Sequence, residues 1–94
     1  MSSKAERRAA RESVAAYHEA RLAALVQRVG EAIDRLRAGE LDAFDTDQVI
    51  FQYSRAAMAL WKFCNLSDAE FISRWIEDGR APADWWDQGA HMRR

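Results

Sequence analysis

Ninety-four residues, 49 % apolar and 31 % charged, make one domain near the lower size at which a chain folds without a metal or disulfide. The net charge of −1 gives no whole-chain attraction to nucleic acid or anionic lipid, and a single cysteine, Cys64, excludes an internal disulfide. Met1 to Arg11 has no apolar signal core and the longest apolar run, Ala56 to Trp61, is too short to span a bilayer, so the expectation is a cytoplasmic protein with no membrane contact.

Alanine is abundant, while the chain holds only four Gly and one Pro. That balance predicts an all-α protein before any pattern is read. Ser3 and Glu6 have capping-box spacing, and Gly39 stands where a helix C′ residue belongs. Between them Leu22, Leu25, Val29, Ala32 and Leu36 recur at steps of three and four, widened by Val26 and Ile33. A first helix is predicted from Glu19 to Ala38, extending upstream to Ser3. At 1.5 Å per residue the whole would be about 54 Å long, against about 30–35 Å for a compact domain of this size. Residues 1–18 therefore read as a basic helical arm, residues 19–89 as the bundle domain and residues 90–94 as a flexible tail.

For the second helix Asp45 is the expected cap, with Gln48 closing the box and Phe44 stapled to Val49. It runs to Asn65 with Val49, Ile50, Tyr53, Ala57, Leu60, Trp61 and Cys64 as its apolar set. The third helix repeats the device with Leu66, Ser67, Glu70 and Phe71, buries Phe71, Ile72, Trp75 and Ile76, and stops at Gly79. Pro82 suits the first turn of a short fourth helix that carries Trp85 and Trp86 and ends at Gly89. The fold expected is a small antiparallel helical bundle: a long first helix, a central second, a shorter third and a short Trp-bearing C-terminal helix.

Chemistry is sparse. Asp42, Asp45 and Asp47 lack a calcium-loop spacing, and capping explains them. His18 and His91 stand apart from any ligand partner, and Cys64 on an apolar helix face predicts a raised pKa and poor nucleophilicity. No phosphate loop, nucleophile elbow or general-base pair is present in the sequence. No catalytic centre, metal or cofactor is expected.

The second helix carries more apolar surface than one neighbour can cover. Phe51 and Met58 flank its main face seven residues apart, and only Gln48, Gln52, Arg55, Ala59 and Lys62 make a polar side. Trp61 and Trp75 sit on apolar faces and read as core. Trp85 and Trp86 diverge by about 100° on a helix, so one closes the bundle while the other stays partly exposed as an anchor. The expected function is a non-enzymatic protein–protein interaction module, regulatory or adaptor-like, forming a homodimer over Phe51, Met58 and Trp61, with Trp85 and Trp86 as further interface residues. The excess of Arg over Lys and of Ala points to a GC-rich bacterial source.

The alternative is a nucleic-acid-associated accessory protein. Residues 1–28 hold six basic and three acidic groups, and residues 67–88 hold two basic and six acidic. Lys4, Arg7, Arg8 and Arg11 in the arm are the candidate phosphate contacts. A helix-turn-helix role for helices 2 and 3 is disfavoured, because Asp68 and Glu70 would face the phosphates. On the phosphate reading, duplex DNA or RNA binding at low salt depends on residues 1–12 and weakens steeply as salt rises; an intact protein that shows no such binding removes that reading.

Overall fold

The structure, a computed structural model, describes residues 3–90. Four helices follow in order: α1 Lys4–Arg37, α2 Ala43–Asn65, α3 Ala69–Glu77 and α4 Trp85–Ala90. They form a small bundle in which α2 meets all three others. Of the tail expected at 90–94, Ala90 is helical; His91 and the other residues of that segment lie outside the described residues.

Local chemistry sets each boundary. Ser3 and Glu6 form the expected capping box at the start of α1, with Glu6 N–H donating to Ser3 Oγ at 3.1 Å. Gly39, at φ 79°, ends α1, and Gly79, at φ 72°, ends α3. At each end the residue after the glycine donates five residues back, Glu40 N–H to the Arg35 carbonyl and Arg80 N–H to that of Trp75, both at 2.9 Å. A left-handed residue makes this closure possible, which is why glycine stands at both places.

Three predicted boundaries shift. The cap of α2 is Asp42, not Asp45: Asp45 sits at the third helical position, donating its N–H to Asp42 Oδ1 at 2.8 Å and returning its carboxylate to the Asp42 N–H. Two carboxylates at this end suit the helix dipole better than one with a glutamine. Phe44 thereby falls inside the first turn and is 81 % exposed, so it staples nothing. Before α3, Leu66 serves as the C-cap of α2, so the chain is still turning at Ser67 and the N-cap passes to Asp68 without a side-chain cap bond. Pro82 precedes α4 instead of opening it, and Asp84 receives the Asp87 N–H at 3.2 Å.

The arm expected at residues 1–18 leaves no break in α1. Ala10 and Val14 are buried, and the first half of the helix packs along α3. The long helix is accommodated because α3 lies beside its N-terminal half and α2 spans its centre. The core is Val14, Leu25, Ala56, Leu60, Cys64, Ile72 and Trp85. Of the expected α1 stripe, Leu25 and Ala32 are buried, Leu22, Val29 and Ile33 are half-buried, and Val26 and Leu36 face water.

Gly89 does not terminate α4 but lets it approach α2. A Cβ there would stand 2.5 Å from the Gln52 carbonyl oxygen and 2.9 Å from the Ala56 nitrogen. Side chains of α2 then receive the exposed end of α4, with Arg55 Nε–H donating to the Gly89 carbonyl at 2.7 Å and Gln52 Nε2–H to that of Trp86 at 3.0 Å. The Gly89 carbonyl is one of the last four of α4, which a helix cannot satisfy itself. Replacing Gly89 by Ala is expected to cost about 1–3 kcal/mol through overpacking, read as a lower Tm; an unchanged Tm would show that α4 does not sit against Ala56.

Candidate interaction surface

The aromatic residues separate into two groups. Trp85 is buried, its indole N–H donating to the Tyr17 hydroxyl at 2.7 Å, and Phe63 packs at a tilt against both, with ring centroids 6.2 Å from Tyr17 and 5.3 Å from Trp85. Trp86 is half-buried under the Arg28 guanidinium, which lies 5.3 Å from its ring. The adjacent tryptophans thus divide as their divergence on a helix requires. Trp86 is held within the chain by this cation–π contact, and its carbonyl by Gln52.

Trp61 corrects the core expectation. It is 49 % exposed, as are Phe51 at 44 % and Met58 at 50 %, on the side of α2 away from the buried Ala56 and Leu60. Ile50, placed on the apolar face by its spacing, is likewise exposed. The C-terminal tryptophan segment does not cover this strip, because α4 is drawn to Gln52, Arg55 and Ala56 on another side of the helix. Tyr53, Ser54, Ala57, Met58 and Trp61 line an open, mostly apolar groove of about 400 Å³ there. Phe71 is also exposed rather than buried, its ring centroid 5.3 Å from that of the half-buried Trp75. On α3 the burial expected for four residues is met fully only by Ile72, with Ser73 buried beside it.

The basic residues Lys4, Arg7, Arg8 and Arg11 all lie on exposed positions of the first turns of α1. Glu6, Glu70, Arg74 and Glu77 line a cleft between this part of α1 and α3. The basic start and the acidic C-terminal half are therefore neighbours within one chain. Because Ala10 is buried, the phosphate reading is tested by neutralising the four cations rather than by deleting residues 1–12.

No group of three or more His, Cys, Asp or Glu among the described residues could hold a metal ion. His18 is half-buried beside Arg11, Val14 and Cys64. Burial raises the pKa of the Cys64 thiol, since a thiolate there would lose hydration. No protein-family model, characterised protein or solved structure matches this chain. With little thiolate at neutral pH, Cys64 in the native protein is expected to alkylate at least about tenfold more slowly than in the unfolded chain; equal rates would contradict its burial.

Proposed function

We propose that this chain is a non-catalytic helical interaction module that self-associates as a homodimer through the outer face of α2, in an adaptor-like or regulatory role. The observation that carries the reading is the exposure of Phe51, Met58 and Trp61 on one side of a helix whose other sides are packed by α1, α3 and α4. The largest apolar patch on a small protein is often functional, and this strip supports the reading in that sense. A buried free thiol and the absence, among the described residues, of a helix long and apolar enough to cross a membrane accord with a cytoplasmic setting.

The size of the strip sets the area the contact can bury. An aromatic side chain offers roughly 150–250 Å², so Phe51 and Trp61, each nearly half exposed, contribute about 100 Å² apiece. With Met58 and Ile50 the total is on the order of 400 Å² per protomer, at the weak and reversible end of specific interfaces.

Light scattering on a sizing column across a concentration series tests this directly. The wild-type mass should rise towards twice that of the chain. The Phe51→Glu/Met58→Glu variant should keep its helical circular dichroism and remain a monomer, because each Glu would have to be desolvated in the contact. A wild type that stays monomeric at high concentration, or a variant that still dimerises, contradicts the proposal.

A further inference from the structure

We infer that the two α2 helices pair antiparallel in one register, with Phe51 against Trp61 of the second copy, Ser54 against Met58 and Asp47 against Asn65. The inference rests on the dimer reading above and adds the geometry of the contact. Asp47, Phe51, Ser54, Met58, Trp61 and Asn65 are all exposed and follow one another at steps of four, three, four, three and four. That is the spacing of a seam along which one helix packs on another. One edge of the seam is apolar, with Ile50 and Ala57, and the other is polar, with Gln48, Arg55 and Lys62.

A two-fold axis makes each contact occur twice and requires the seam to complement itself. In the proposed register it does so at three levels. The two large aromatics meet, the small Ser54 leaves room for the long Met58, and the Asp47 carboxylate faces the Asn65 amide, a hydrogen-bond donor. The Asn65 Nδ2–H already donates to the Trp61 carbonyl at 2.9 Å, and its second amide proton serves the partner. Arg55 would approach its own copy near the axis, but its Nε–H donates to the Gly89 carbonyl at 2.7 Å, which draws the guanidinium towards α4.

The competing arrangements are each worse. Parallel pairing sets Asp47 against Asp47, Trp61 against Trp61 and Ser54 against Ser54, giving like charges at one level and a void at another. Sliding the antiparallel pair one step in one direction puts Phe51 on Ser54 and the Asp47 carboxylate on Met58, where it is desolvated with no donor; sliding it the other way sets Met58 on Trp61 but leaves Phe51 and Asp47 past the partner's Asn65, at the end of α2, with nothing opposite on that helix. Antiparallel helices also set the basic Lys62 end of one α2 near the acidic Asp42–Asp47 end of the other.

The test is sedimentation equilibrium of the full-length protein at low salt. Asn65→Lys should tighten the dimer roughly threefold to tenfold, since two new pairs with Asp47 form per dimer, and the gain should vanish at high salt. Asn65→Asp should weaken it by a similar factor, and adding Asp47→Lys to Asn65→Asp should restore it. Asn65 is exposed at the last turn, so circular dichroism is expected to be unchanged. A dimer indifferent to both Asn65 variants overturns the register while leaving the dimer reading standing. Weakening by both variants overturns it in favour of parallel pairing. A wild type with no dimer removes the reading and the register together.

Discussion

Gly89 of α4 lies so close to Ala56 of α2 that no larger residue would fit without displacing the Gln52 carbonyl, and much of the bundle follows from that approach. It brings Trp85 to the Tyr17 hydroxyl and against Phe63, so one indole ties together three helices. A six-residue helix is far too short to persist alone; α4 is held to α2 by Gln52 at the Trp86 carbonyl and by Arg55 at the Gly89 carbonyl, one of the last four of the helix. The same contact decides which sides of α2 are covered. With α4 held at Gln52, Arg55 and Ala56, none of the described helices covers the side that carries Phe51, Met58 and Trp61.

That shortage is a matter of size. Among the described residues only Leu60 of the large side chains is wholly removed from water, and the remaining core is shared among small or partly covered groups. Surface-to-volume scaling makes a second layer around α2 unaffordable within one small domain. The proposed dimer supplies the missing layer from a second copy, and the modest area of the strip makes that association reversible.

Charge follows the fold in a similar way. The basic first turns of α1 run beside α3, whose Glu70 and Glu77 share a cleft with Glu6 and Arg74. Two segments that look like opposite poles of the sequence are side by side in the molecule. Long-range attraction for an anionic partner is correspondingly reduced, since opposite charges within a Debye length offset one another at a distance.

Helix content, the long first helix, both left-handed glycine stops and the overloaded apolar surface of α2 were legible in the sequence, because each rests on residues close together along the chain. Phe51, Met58 and Trp61 were legible as excess apolar surface, and Trp85 with Trp86 as a pair that must diverge. Which member of each competing set is buried was not legible. Trp61 has the spacing of a core residue but lies on the open side; Phe71 has it too, and only Ile72 beside it is buried. Gly89 read as a helix stop because a glycine's local freedom is visible in sequence, whereas a close approach to Ala56, 33 positions away, is not. Asp45 read as the cap of α2, but Asp42 takes that place and Asp45 completes the reciprocal box from the third helical position. Periodicity thus determined which faces could be apolar, and the tertiary structure alone decided which of them are covered, because coverage depends on where the neighbouring helices are anchored.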